Sequence, residues 1–123
     1  MPKENFILLY VDSPTASGDF YRGLLGREPV EASPTFVMFA LAPEFMLGLW
    51  SRHTVQPPPA TAGGGGELAF TLESPEAVDA ACASWKALGL PIVQAPTAMD
   101  FGRTFVALDP DGHRLRVFSP AGD

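Results

Sequence analysis

Apolar positions along the chain fall into two series of runs that share one order. Phe6-Ile7-Leu8-Leu9-Tyr10-Val11 is continuous, apolar and rich in strand formers, and it predicts a strand buried on both faces. Asp12-Ser13-Pro14 then places a capping hydroxyl ahead of a proline suited to the first helical position. The helix is expected from Pro14 to about Leu25, with Ala16, Phe20, Tyr21 and Leu24 turned inward and Gly26 as its stop. Gly18 and Gly23 weaken it, so tertiary packing must hold it. Three strands follow: Arg27 to Ala32, edge-like because of Pro29, then Thr35 to Leu41, then Phe45 to Arg52.

Residues 54–66 break the pattern. Pro57, Pro58 and Pro59 stiffen this stretch and Gly63 to Gly66 loosen it, so it reads as a linker too broken to pack as an element. The order then returns. Glu67 to Leu72 is a strand, and Ser74-Pro75 opens a helix carrying Ala77, Val78, Ala81, Trp85 and Leu88 at helical spacing before Gly89. Pro91 to Ala95 and Phe101 to Leu108 are strands. Asp109-Pro110-Asp111-Gly112 has the residues of a type I turn, and Arg114 to Ser119 closes the series. The expected fold class is α+β: two βαβββ modules, 5–53 and 67–119, in a single domain 1–123, with curved mixed sheets around a ligand cavity.

Composition narrows the partners. The 123-residue chain is 46% hydrophobic with a net charge of -6 and no basic block, which argues against nucleic acid and membrane surfaces. Cys82 stands alone, so no internal disulfide is available, and the apolar run at 6–11 is too short for a membrane span or signal core. A cytoplasmic protein is expected.

Candidate chemistry centres on the strand Phe45 to Arg52. Met46, Gly48 and Trp50 alternate onto one face, and a glycine inside a strand often marks close approach of a ligand or another backbone. Alternation adds Phe6, Leu8 and Tyr10 from the first strand, with Arg52 at the edge; the second module offers Glu67, Ala69, Thr71, Arg114, Arg116 and Phe118. An aromatic, Met-containing wall of this kind suits a flat ligand. Phe36, Met38, Phe39, Met99 and Phe101 add apolar bulk on faces that alternation leaves open.

The two βαβββ modules, the Phe20-Tyr21…Leu25-Gly26 helix end and the Asp109-Pro110-Asp111-Gly112 turn together resemble the vicinal oxygen chelate superfamily of glyoxalases, extradiol dioxygenases and antibiotic resistance proteins. The resemblance implies metal ligands on the first and last strand of each module, which fall here on Phe6, Gly48, Glu67 and Arg116. Only Glu67 among them is a donor, and one carboxylate does not make a metal site. No metal and no cofactor are therefore expected, and no catalytic residue is assigned. Glu67 and Arg116 are free to form a cross-strand pair, or Arg116 to hold a ligand carboxylate. Residues 28–53, from Glu28-Pro29-Val30-Glu31 through Leu47-Gly48-Leu49-Trp50-Ser51-Arg52-His53, look like the phenazine-antibiotic resistance branch. That branch implies a homodimer that binds a planar aromatic antibiotic and gives resistance by sequestration, with Trp50 stacking on the ligand. The alternative is a metal-dependent glyoxalase- or dioxygenase-like enzyme with displaced ligands at Glu67, His53 and His113.

Overall fold

A computed structural model describes residues 5–61 and 64–121, so part of the linker at 62 and 63 lies outside the described residues. The chain divides into two compact units, Met1–Ala62 and Gly63–Asp123. Each holds one helix and one four-stranded mixed sheet.

The first unit contains β1 (Asn5–Val11), α1 (Pro14–Leu25), β2 (Glu31–Ala32), β3 (Phe36–Ala42) and β4 (Phe45–Ser51). Its sheet has the order β1-β4-β3-β2. β1 runs parallel to β4, and the other pairs are antiparallel. The Ser-Pro start behaves as its chemistry requires: the Ser13 hydroxyl accepts a hydrogen bond from the Ala16 N–H, and Gly26 closes the helix in the left-handed region at φ 66.

α1 packs on β3 and β4. The face it covers carries Val11, Val37, Phe39, Leu47 and Leu49, all 3% exposed or less. The inward residues of the helix are Pro14, Ser17, Gly18 and Tyr21. Ala16, expected inside, is exposed. The cause is Gly18: a Cβ there would stand 3.2 Å from Val37 Cγ1, so the small Ser17–Gly18 step is what lets the helix lie close to the sheet. That contact turns Tyr21 fully inward.

β1 departs from the expectation of burial on both faces. It is the end strand of its sheet, and Phe6, Ile7, Leu8 and Tyr10 are 39–45% exposed. A continuous apolar run indicates a strand but not whether it has one neighbour or two. β2 is only two residues long, shortened behind Pro29. In the linker Val55 is 2% exposed, its N–H bonded to the Ser51 carbonyl at 3.0 Å, so this part packs where no packing was expected.

The second unit contains β5 (Glu67–Thr71), α2 (Pro75–Ala87), β6 (Ile92–Met99), β7 (Gly102–Leu108) and β8 (Arg114–Pro120), in the order β5-β8-β7-β6. Ser74 caps α2 through the Ala77 N–H at 3.1 Å. Val78 and Cys82 are buried on the helix's sheet side, and Trp85 stands edge-on to Phe70 and Phe105 with centroids 6.2 and 5.3 Å away. Leu88, expected inside, is 65% exposed because it caps the helix beyond its last turn. At the 109–112 turn the Gly112 N–H reaches the Asp109 carbonyl at 3.0 Å. The buried Asp109 carboxylate accepts from the Asp111 and His113 N–H groups at 2.9 and 2.8 Å. No helix of the described residues is long and apolar enough to cross a membrane.

Candidate functional site

Register assembles the first unit's site candidates on the face of the sheet away from α1. Phe6, Leu8 and Tyr10 pair with Met46, Gly48 and Trp50, while Phe36 and Met38 on β3 pair with Trp50 and Gly48. This resolves two faces that the sequence left open: Phe36 and Met38 join Trp50, and Phe39 lies in the core under α1. The result is a row of rings on three adjacent strands. Trp50 meets Tyr10 at 6.5 Å and Phe36 at 6.2 Å, with interplanar angles of 82° and 86°. Both contacts are of the edge type, which leaves neither ring stacked flat on the indole.

The space above Gly48 is not empty. A Cβ there would come within 2.7 Å of Leu8 Cδ2 and 2.9 Å of Phe36 Cζ. Glycine at this position therefore admits the protein's own Leu8 and Phe36 side chains, a role the strand pattern did not reveal.

At the end of this face Asp12 accepts from His53 Nε2 at 2.7 Å and from Arg52 at 3.4 Å. These three side chains are 55–62% exposed. The His53 hydrogen bond holds the Asp12 carboxyl below its ordinary value, with smaller help from Arg52.

The second unit's open face is polar. Glu67 and Arg116 form a two-pronged pair, Nε to Oε1 at 2.8 Å and Nη2 to Oε2 at 3.0 Å. Arg116 Nη1 also donates to Gln94 Oε1 at 3.2 Å and to Thr104 Oγ1 at 3.1 Å. Arg114 adds a second cation to Glu67 at 3.1 Å. The Phe101 ring lies 6.0 Å from the Arg116 Cζ and edge-on to Phe118 at 5.7 Å. Gln94 and Thr104 escaped sequence reasoning. Register shifts on both sides of Gln94 break its alternation, and Thr104 lies in an apolar run; a polar residue inside such a run was the available signal.

The Arg116 hydrogen bond lowers the Glu67 pKa from its ordinary value of 4.5, against a smaller opposing effect of burial. The pair thus stabilises the fold fully above that value and less as pH falls through the lowered folded value. Glu67→Gln is expected to cost about 1 kcal/mol at pH 7, a figure kept small because the pair is partly solvent-screened. Urea unfolding across a series of pH values from 7 downward checks this: the gap between variant and wild type should narrow as the solution is acidified below 4.5, and a gap independent of pH refutes the assignment.

The residues at the superfamily's metal positions do not fit a divalent metal. Phe6 and Gly48 carry no donor, Arg116 is a cation, and both Glu67 oxygens are committed to Arg116. Of the displaced alternatives, His53 is engaged through its ring with Asp12, and His113 lies in the 109–113 turn, where its backbone N–H bonds Asp109. Among the described residues, no group of three or more His, Cys, Asp and Glu could hold a metal.

Two four-stranded mixed sheets, each backed by one helix and built in the same order of elements, are the architecture of the vicinal oxygen chelate fold. The chain belongs to the Glyoxalase/Bleomycin resistance protein/Dioxygenase superfamily, whose family model matches residues 4–117. It is 34% identical over 116 residues to the phenazine antibiotic resistance protein EhpR of Enterobacter agglomerans, covering 92% of this chain and 88% of that one. Among solved structures it is 56% identical to protein ATC0852 of Agrobacterium tumefaciens, with a TM-score of 0.88 over 99% of this chain and 100% of that one. A glyoxalase-related enzyme from Fulvimarina pelagi shares the fold at 23% identity, with a TM-score of 0.84 over 99% of this chain and 94% of that one.

Proposed function

We propose that this protein binds a planar aromatic small molecule of the phenazine class without a metal and confers antibiotic resistance by sequestering it. The observation that carries the reading is the ring row centred on Trp50, whose two ring neighbours meet it edge-on and leave the indole unstacked. A flat polycycle stacking there gains dispersion and burial together. The relation to EhpR supports a phenazine as the ligand. Met46, Phe6, Tyr10 and Gly48 belong to the same face of the first unit, with Arg52 at its end; Glu67, Arg116 and Phe101 form the polar patch of the second. The test is calorimetric titration of chelator-treated protein with phenazine. Saturable binding with no metal added supports the reading, and binding that needs added zinc, nickel or iron overturns it.

The second copy in a homodimer would cover the exposed apolar side chains of β1. Sedimentation equilibrium is expected to give twice the 13.1 kDa chain mass. A monomer at micromolar concentration would remove the dimer from the proposal.

A further inference from the structure

We propose that Gly48 is a positioning residue of the ring-binding face: it gives the Phe36 ring a place to lie off the indole, and so keeps the face of Trp50 open to a flat ligand. This rests on the function proposed above and deepens it, since Gly48 acts on the ligand through Phe36 and not by contact.

β4 is an inner strand, with β1 on one side and β3 on the other. A glycine inside such a strand weakens it, because it has no side chain to pack and more backbone freedom to lose. Gly48 is nevertheless buried, while Met46 and Trp50 on either side of it along the same face are half-buried. What covers it is Leu8, its register partner on β1, and Phe36 on β3. On β3 the register partner of Gly48 is Met38, and Phe36 pairs with Trp50. The Phe36 ring therefore reaches diagonally, away from its own partner. Its tip rests where a Cβ at position 48 would stand 2.9 Å from Cζ and 3.0 Å from Cε1.

That diagonal reach sets the geometry of the row. It leaves Phe36 edge-on to the indole, with centroids 6.2 Å apart and planes at 86°. An alanine methyl at position 48 displaces both covering side chains, and it meets both at their free ends, so the backbone need not move. Leu8 is 44% exposed on the end strand and swings outward. Phe36 is half-buried, and its ring turns back toward its register partner and onto the indole. Stacked there, it takes the surface that a planar ligand needs.

Gly48→Ala is expected to weaken phenazine binding roughly 10-fold by calorimetry, the scale of one aromatic stacking contact. Its melting temperature should stay within about 5 °C of the wild type. In the ligand-free variant the Trp50 indole NMR signals should move upfield, under the Phe36 ring, while the Trp85 signals stay. Phe36→Leu removes the ring that closes the face, so adding Gly48→Ala to it should change affinity by less than about twofold. A Gly48→Ala protein that binds phenazine as the wild type does, or whose free Trp50 signals do not move, overturns the inference. So does an equal loss of affinity in the Phe36→Leu background, which would mean that position 48 meets the ligand directly. A Gly48→Ala protein that melts far below the wild type overturns it too, because the glycine would then serve the fold. If phenazine does not bind the wild type, the proposed function fails, and the Trp50 signals of the free proteins alone decide whether Gly48 holds Phe36 off the indole.

Discussion

Replacing Trp50 with alanine is expected to weaken phenazine binding by roughly 10- to 100-fold. Stacking of a flat heterocycle on an aromatic side chain is worth about 1–3 kcal/mol by alanine substitution, and each 1.4 kcal/mol is tenfold. Trp50 is the centre of its row: β4 lies between β1 and β3, and the indole has a ring neighbour on each side. Its removal takes away the stacking surface and both edge contacts. The fold should survive, because Trp50 is only half-buried on the open face, while the core beneath α1 rests on Leu47, Leu49 and Phe39. Trp50→Phe should retain part of the affinity, since a smaller ring still stacks. Calorimetry on the two variants checks both statements, with circular dichroism confirming their folding. An alanine variant that binds like the wild type removes Trp50 from the site.

The largest stability effect is expected at Gly102, the first residue of β7. Its φ of 140 lies where side chains are strained, and an added Cβ would sit 1.9 Å from the Ser119 carbonyl oxygen. That obstacle is backbone, so no rotamer change relieves it. β8 would have to separate from β7, or the turn before β7 would have to rebuild. Backbone strain and overpacking each cost about 1–3 kcal/mol, which puts Gly102→Ala at about 3 kcal/mol or more. The melting temperature should fall by roughly 10 °C. Gly112→Ala is the control: its φ is 83, but nothing lies within 4 Å of the added Cβ, so only the strain applies. A Gly102→Ala protein that melts with the Gly112→Ala protein would show that the close backbone contact is not limiting. The preceding residue, Phe101, lies against Arg116 and Phe118.

Local chemistry made much of this fold legible. A Ser-Pro pair announces each helix because the hydroxyl caps and the proline, with its φ fixed and no N–H to leave unbonded, suits the first turn, and Asp109-Pro110-Asp111-Gly112 announces its hairpin for similarly local reasons. Strict alternation along β4 put Met46, Gly48 and Trp50 on one face without knowledge of the neighbours. What stayed hidden depends on neighbours. β3 is apolar at every position, so the faces of Phe36 and Phe39 follow only from their pairing with β4. The exposure of β1 follows from its place at the end of the sheet. Gly48 invited the reading of a vacancy for a ligand, yet the side chains that fill it come from two other strands. The Gln94–Arg116 contact joins residues on β6 and β8, across bulges that periodicity cannot follow.

Ring binding at Trp50 is read most directly from the NMR signals of the two indole N–H groups, one from Trp50 and one from Trp85, during titration of chelator-treated protein with phenazine. Trp85 is held between Phe70 and Phe105 on the helix side of the second unit and serves as the internal reference. The Trp50 signal is expected to shift and saturate with ligand while the Trp85 signal stays in place. A Trp50 signal that remains still while phenazine binds, or that moves only after a metal is added, would contradict it.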